Sequence, residues 1–266
     1  MANPGRWILG CVAALALTIG CGSMGVGGGD LNLISIEQEW AMRDDLRRQV
    51  ASKYRVVSDG AATAYLNRLG REIAGRTALG DRRWDFALVE DSKVNAFNLP
   101  GGLVYVNTGL VREADRLDQL TGVLSHEIGH GVARHGTEQM TRAYGLDLLA
   151  SIALGENPSQ GEQVLAQVVG VGVLNDYSRE AEREADGLGV RFSHAAGFDP
   201  RGMPDFFRKL QERGRRDPSA VERFFSSHPV DSERIESTEA LISQLPPNQS
   251  LVRDTPEFRT FRSRLR

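Results

Sequence analysis

The feature that most constrains the fold is the segment His126-Glu127-Ile128-Gly129-His130, in which two histidines lie four positions apart. On an α-helix, positions i and i+4 lie on one face about one turn apart, so both imidazoles can reach a single metal ion. The flanking Val123, Leu124 and Val132 are apolar, which favours a buried helix over an exposed one. Polar side chains on a buried helix need partners. The chain is therefore predicted to build a buried helix with a metal ion on one face.

Two histidines and a glutamate at this spacing suit zinc. His126 and His130 can each give one ring nitrogen to zinc at about 2.0–2.1 Å, and catalytic zinc sites keep one position open for water. Glu127 can take the proton of that zinc-bound water as it attacks a carbonyl, and then deliver the proton to the leaving amine. The segment predicts one Zn²⁺ per chain and a hydrolase that acts on peptide bonds.

The supply of further ligands is narrow. Both cysteines of the 266-residue chain, Cys11 and Cys21, lie in the first 21 residues, which excludes a disulfide framework, a thiolate metal site and a cysteine nucleophile in the rest. The remaining histidines are His135, His194 and His228. His135 is five residues past His130, which turns it off the ligand face. The third ligand is therefore expected to be a carboxylate on another helix.

A candidate for that helix is the acidic segment 177–186, YSREAEREAD. Glu182 and Asp186 are four positions apart, so Glu182 can bind zinc while Asp186 accepts the N–H of a ligating histidine and fixes its tautomer. Glu180 and Glu184 remain alternatives as ligands. Taken alone, the segment is more typical of a solvated helix with charge pairs, but the histidine pair favours the zinc interpretation.

Apolar periodicity predicts an α+β chain that is mainly helical and carries a small β-sheet. Ser35 and Gln38 form a capping-box pattern that opens a helix through Lys53, and Ser58-Asp59 begins a second helix. Strands are predicted over residues 84–90 and, as a pair around a Pro-Gly-Gly turn, over 94–106. Further helices are predicted over 116–135, 137–154, 160–175 and 177–195, and from 202 to the end with breaks at Pro218, Pro229 and Pro246-Pro247. Residues 35–266 are predicted to form one domain.

The first 34 residues predict where the protein is located in the cell. Arg6 precedes an apolar run, Trp7 to Gly20, which is typical of a secretory signal and short for a membrane span. The run ends in Leu-Thr-Ile-Gly-Cys21, which is similar to a bacterial lipobox except for its threonine. We expect a signal peptide over 1–20, a lipidated Cys21 and a Gly-rich tether over 21–34, rather than an ordinary cleaved signal or short anchor with an incidental cysteine. Since no aspartate follows Cys21, the expected location is an outer membrane, facing the periplasm, if the host has two membranes.

Four blocks of the chain together resemble the HtpX, BepA, LoiP and CAAX-prenyl-protease group of gluzincin metallopeptidases. They are Asn95 to Gly102 with the following Val104-Tyr105-Val106, then Leu124 to His130, then Ser178-Arg179-x-x-Glu182-x-x-Ala185-Asp186, and finally Ser227-His228-Pro229 with Arg234. The resemblance spans about 95–234, in the family's order, and implies a compact zincin domain. It also implies Glu182 as the third zinc ligand, because Glu182 stands four positions before the aspartate of the Ala-Asp pair.

The resemblance implies further roles. An edge strand above the zinc, pairing with an extended substrate through its backbone, would be formed by Asn95, Ala96, Phe97 and Asn98, unless these residues make an ordinary hairpin. His228 would stabilise the tetrahedral oxyanion, or coordinate zinc as a fourth ligand and hold the enzyme shut, or only pack before Pro229. Arg234 would pair with an acid near the site or lie on the surface.

Two functions follow as hypotheses. The first is a membrane-tethered zinc endopeptidase of the cell envelope; the resemblance implies unfolded or misassembled envelope proteins, in extended conformation, as its substrates. The second is a chaperone-like, non-catalytic envelope lipoprotein with a structural zinc. Intact Glu127 and a body without cysteine favour the first, since structural zinc usually has four closed ligands. The formal net charge of −3 gives no support for nucleic acid as a partner.

Overall fold

The computed structural model of the chain describes residue 32 and residues 34–153, 158–170 and 177–265. The predicted signal peptide (1–20), the predicted lipidation site Cys21 and most of the predicted tether (21–34) lie outside the described residues. Within the part that is described, no helix has both the length and the apolar character needed to cross a membrane.

The described residues form a mainly helical α+β structure, which confirms the predicted fold class. Its helices are α1 (Ile36–Ala41), α2 (Arg43–Lys53), α3 (Gly60–Ala74), α4 (Thr108–Glu113), α5 (Leu117–Ala133), α6 (His135–Ala153), α7 (Pro158–Gly170), α8 (Arg179–Ala195), α9 (Gly202–Arg216), α10 (Pro218–Ser227), α11 (Ser232–Ser243) and α12 (Pro256–Arg264). Its strands are β1 (Asp85–Val89), β2 (Ala96–Leu99) and β3 (Leu103–Asn107).

The three strands form one mixed sheet in the order β1-β3-β2. β1 runs parallel to β3, with Phe86 opposite Val104, and β2 runs antiparallel to β3, with Phe97 opposite Tyr105. Gly101 and Gly102 turn the chain between β2 and β3 with φ values of 81° and 70°, a region that glycine enters without steric cost. This topology leaves β2 at one edge of the sheet.

Helix α5 lies at the centre of the fold. It packs against α3, α8, α9 and β2, and every residue from Leu117 to Gly131 is buried. A helix that is buried on all sides encloses its polar residues as well as its apolar ones. The histidines and glutamate of α5 are therefore held inside the molecule.

Some predicted boundaries differ from the structure. The helix predicted from Ser35 to Lys53 opens with the predicted capping box but is interrupted at Met42. The helix predicted to run to residue 135 ends at Ala133, because Arg134 takes a left-handed conformation with a φ of 62°. α6 then begins at His135. Asn95 lies just before β2, although its carbonyl still accepts the backbone N–H of Asn107 at 3.0 Å.

Candidate metal centre and active site

Three helices bring four potential metal ligands together. α5 carries His126 and His130, α8 carries Glu182, and His228 caps the carboxyl end of α10. One ligand atom from each of these residues lies within 4.8 Å of all the others. All four side chains are 2% exposed or less, so the cluster is shielded from solvent.

The spacing of the donor atoms fits a zinc ion. Nε2 of His126 lies 3.0 Å from Nε2 of His130, and Oε1 of Glu182 lies 3.3 Å from the latter and 3.1 Å from Nδ1 of His228. Ligands of a tetrahedral zinc at about 2.0–2.1 Å lie roughly 3.3 Å apart. In a hydrogen bond between the two Nε2 atoms, one nitrogen must carry a proton and only the other uses its lone pair. A metal ion between them can accept the lone pairs of both nitrogens. The chemistry of the donors and their convergence therefore match zinc.

Glu127 lies beside this donor cluster. Its side chain is fully buried, and neither carboxylate oxygen has an aligned hydrogen bond to the residues that the structure describes. Nε2 of His228 lies 3.3 Å from Oε1 of Glu127. A buried polar atom without a partner costs free energy, so such an atom in a folded protein calls for an explanation. A buried carboxylate in this position is chemically able to accept a proton.

Asp186 and Arg234 form the layer behind His126. Oδ1 of Asp186 lies 2.9 Å from Nδ1 of His126, which leaves Nε2 facing the donor cluster. Arg234, on α11, contacts both oxygens of Asp186 at 2.7 Å, and its Nη1 lies 2.7 Å from Oε2 of Glu182. A paired guanidinium holds both carboxylates in one geometry. Arg234 is buried at the site and does not lie on the surface.

The electrostatics of the cluster favour a positive charge at its centre. Burial alone would lower the pKa of His126, but hydrogen bonds to Asp186 and Glu182 raise it to about 10. Burial would raise the pKa of Glu182, yet His228, His126 and His130 hold it well below its ordinary value. The carboxylates of Asp186 and Glu182 are therefore stable as anions when a protonated histidine or a metal ion places a positive charge beside them.

Two residues near His130 were not expected from the sequence. Tyr177 stacks on the His130 ring at 4.1 Å between centroids, and Nδ1 of His135 lies 2.9 Å from Nδ1 of His130. His135 was expected to point away from the ligand face, and it does stay outside the donor cluster. The left-handed turn at Arg134 nevertheless places His135 against His130. Helical spacing does not predict this contact. The sequence offers no spacing signal for Tyr177 either.

The remaining candidate ligands lie elsewhere. Among the three glutamates at the start of α8, Glu180 is exposed and Glu184 is partly exposed, while Glu182 alone joins the donor cluster. His194 lies near the end of the same helix, with Nε2 3.1 Å from the carbonyl oxygen of Pro246.

The strand β2 lies next to the candidate site. Its neighbour Asn95 accepts a hydrogen bond from Ser227, which directly precedes His228, at 3.2 Å between Oδ1 and Oγ. α5 packs against β2, and within the described residues β2 pairs only with β3. The predicted substrate residues Asn95, Ala96, Phe97 and Asn98 therefore lie at a sheet edge beside the metal donors. Ala96 and Asn98 are buried, whereas Phe97 is half-buried and stacks on Tyr105 at 5.2 Å.

A buried HExxH helix, a glutamate donor from a second helix and a mainly helical α+β fold define a zinc metalloendopeptidase domain. Comparison with known sequences gives the same class. The chain matches peptidase family M48 over residues 61–242, which is more than half of its length, and it belongs to that family.

Individual relatives cover most of the chain. It is 30% identical over 225 residues to a beta-barrel assembly-enhancing protease of Yersinia pestis, covering 81% of this chain and 46% of that protein. The counterpart of Escherichia coli is 29% identical over 235 residues, covering 85% and 47%. A mitochondrial metalloendopeptidase OMA1 of Schizosaccharomyces pombe is 28% identical over 229 residues, covering 85% and 66%. The chain thus spans about half the length of the bacterial relatives.

Proposed function

We propose that this chain is a zinc-dependent endopeptidase of the cell envelope that hydrolyses unfolded or misassembled proteins. The observation that carries the proposal is the buried Glu127 carboxylate, which has no aligned hydrogen bond within the described part of the chain and lies beside four convergent metal donors. A structural metal site has no use for such a group, whereas a hydrolase needs a proton acceptor at this place.

In this mechanism, His126, His130 and Glu182 would hold the metal ion. The chemistry that zinc supplies when bound is polarisation of the scissile carbonyl and acidification of a water molecule. Glu127 accepts a proton from the attacking water and then donates it to the leaving amine. Oδ1 of Asp186, which lies 2.9 Å from Nδ1 of His126, would accept the proton of that nitrogen and so fix the tautomer that presents Nε2 to a metal ion.

The proposed substrate is an extended polypeptide. Among the strands that the structure describes, β2 is the last in the order of the sheet, so its outer edge can accept a further strand through backbone hydrogen bonds. A folded domain already uses its backbone groups internally, and only an unfolded or unpaired segment can add a strand there. This requirement supports unfolded or misassembled proteins as the substrate class.

The proposed location is the periplasmic face of an outer membrane. The signal-like residues 1–20 and the lipobox-like cysteine support it, and two bacterial relatives are named for enhancing β-barrel assembly. Cys21→Ala should move the protein from the membrane fraction to the soluble envelope fraction of cells. Unchanged membrane association in that variant would rule out the lipid anchor.

The enzymatic proposal is tested with the purified full chain and a permanently unfolded reporter protein. Cleavage should stop when a chelator removes zinc and return when zinc is added back. Glu127→Gln should retain one zinc per chain and lose about 10²–10⁴-fold of the cleavage rate, as expected when a general base is removed. Glu180→Gln, which alters an exposed glutamate of α8, is the matched control and should cleave normally. Cleavage by the Glu127→Gln variant at the normal rate would refute the assigned base.

One observation favours the second candidate, a chaperone-like protein with structural zinc. Nδ1 of His228 lies 3.1 Å from Glu182 and 3.3 Å from Nε2 of His126, so the cluster has four donors instead of three. A fourth protein ligand would close the position that catalysis needs. The same assay separates the candidates, because the chaperone would suppress aggregation of the reporter without cutting it.

A further inference from the structure

His135 links the candidate ligand His130 to a second carboxylate. Nδ1 of His135 lies 2.9 Å from Nδ1 of His130, and its Nε2 lies 3.4 Å from Oε2 of Glu184. His135 is 4% exposed, while the Glu184 side chain is 34% exposed. A buried imidazole thus connects a candidate ligand in the interior to an acid at the surface.

The backbone places His135 there against the preference of a helix. On a continuous helix, residue i+5 lies about 140° around the axis from residue i and would face away from His130. Arg134 breaks the helix with a φ of 62°, a conformation that is uncommon for residues other than glycine. Nε of Arg134 donates to Oε2 of the buried Glu39 at 2.7 Å, and Nη2 donates to the carbonyl of Ile34. These two hydrogen bonds hold the turn in place.

The hydrogen-bonding capacities of the two rings fix one order of protons. Nε2 of His130 faces the donor cluster, so a neutral His130 that binds metal carries its proton on Nδ1. That N–H can donate to Nδ1 of His135 only if the His135 proton is on its own Nε2. The remaining N–H then points to Glu184, which is an acceptor.

We propose that His135 is a positioning residue, oriented by Glu184, which fixes the tautomer and ring orientation of His130 for zinc. The inference rests on the proposed role of His130 as a ligand. It gives the two histidines of α5 different supports: His126 is held directly by Asp186, whereas His130 is held through a second imidazole. Such partners of metal-binding histidines raise metal affinity by about 10–100-fold.

The test is the zinc dissociation constant of the full chain, measured by competition with a chromogenic chelator. His135→Phe, which keeps an aromatic ring without hydrogen-bonding atoms, should weaken zinc binding about 10–100-fold. His135→Asn, whose side-chain amide can place a polar atom near the position of Nδ1, should restore much of the affinity. His135→Gln places its polar atoms nearer the position of Nε2 and should restore less. His194→Phe is the matched control and should bind zinc normally.

Two further variants separate the possible failures. His130→Ala should lose zinc by more than His135→Phe; if it binds zinc normally, the proposed ligand set is wrong. If His130→Ala loses zinc but His135→Phe binds as tightly as the original protein, only the positioning role is overturned. Equal losses in the Phe, Asn and Gln variants would also overturn it, since that pattern reflects packing instead of a hydrogen bond at Nδ1. Circular dichroism of each zinc-free variant checks that it is folded.

Discussion

Glu182 is the residue that joins α8 to the histidines of α5. Ser178 caps the amino end of α8, and the helix packs against α5 with Glu182 facing inward while Glu180 faces solvent. Arg234 contacts the inward carboxylate at 2.7 Å and helps to hold it as an anion. The three acids of this segment are equivalent in chemistry, and only their direction around the helix separates them.

Glu182→Ala should therefore weaken zinc binding by more than about 100-fold, because loss of a ligand costs more than loss of a partner behind one. Zinc content after dialysis, measured by atomic absorption, checks this prediction. Glu180→Ala is the matched control and should keep one zinc per chain. A full equivalent of tightly bound zinc in Glu182→Ala would show that His228 or another acid completes the site.

At the scale of elements, α5 and α8 meet at glycines. A Cβ atom built on Gly129 would lie 2.8 Å from the backbone oxygen of Ala185, and one on Gly189 would lie 3.0 Å from the backbone nitrogen of His126. Real Cβ atoms essentially never lie 2.8 Å from a backbone atom, so a larger residue at position 129 would push the helices apart, and the 3.0 Å contact at position 189 is also unusually tight. These contacts set the distance from the two histidines to Glu182.

Gly129→Ala should lower the free energy of unfolding by about 1–3 kcal/mol, as overpacking of a tight contact does. It should also weaken zinc binding, because the helices that carry the ligands separate. Gly187→Ala is the matched control on α8, where the added Cβ would meet only side-chain atoms at ordinary contact distances, Leu241 at 3.6 Å and Arg191 at 3.8 Å. That variant should gain about 0.5–1 kcal/mol, since alanine is the better helix former. Urea unfolding of both variants tests the prediction, and equal effects would contradict it.

A second group of elements is joined at Asp85, the first residue of β1. Its carboxylate lies 2.6 Å from Nη2 of Arg43 on α2, 3.1 Å from Arg71 on α3 and 3.1 Å from Arg83. Arg43 also donates to the carbonyl of Gly101 in the turn between β2 and β3. Burial would raise the pKa of Asp85, but these arginines, Arg43 foremost, lower it below its ordinary value.

A carboxylate whose pKa is depressed by folding stabilises the protein above its unfolded pKa and loses that contribution as the pH falls through the folded pKa. Asp85→Asn should therefore cost about 1.5–3 kcal/mol at neutral pH, the range for hydrogen bonds to charged groups, and less in acid. The difference in unfolding free energy between the two proteins should shrink from pH 7 to pH 3. Asp45→Asn, which alters an exposed pair with Arg48, should cost little at either pH. A difference that is constant with pH would contradict the role given to Asp85.

At the scale of the whole molecule, local patterns predicted some features and not others. The histidine pair and the capping box at Ser35 depend on residues three or four positions apart, and helical geometry fixes these relations. Spacing alone leaves Glu180, Glu182 and Glu184 as alternatives, and only the resemblance to known peptidases favours Glu182. The contact of His135 with His130 depends on a left-handed turn held by Glu39, which lies 95 residues away from Arg134. The break at Met42 and the placement of His228 likewise depend on packing between distant segments, which spacing along the chain does not encode.

The donor cluster connects segments that are distant in sequence, because its residues come from α5, α8 and the carboxyl end of α10. A ligand that binds only the folded state stabilises it by about 2.7 kcal/mol when its free concentration is 100 times its dissociation constant. For a chain of this size that corresponds to an increase of roughly 5–10 °C in the unfolding temperature. Adding zinc to the chelated protein should produce this increase. The zinc-dependent increase should persist in Glu127→Gln, which keeps every proposed ligand, and shrink in Glu182→Ala, which loses one. If Glu182→Ala still shows the full increase, zinc stabilises the protein from another site, and the cluster is not what links these three helices.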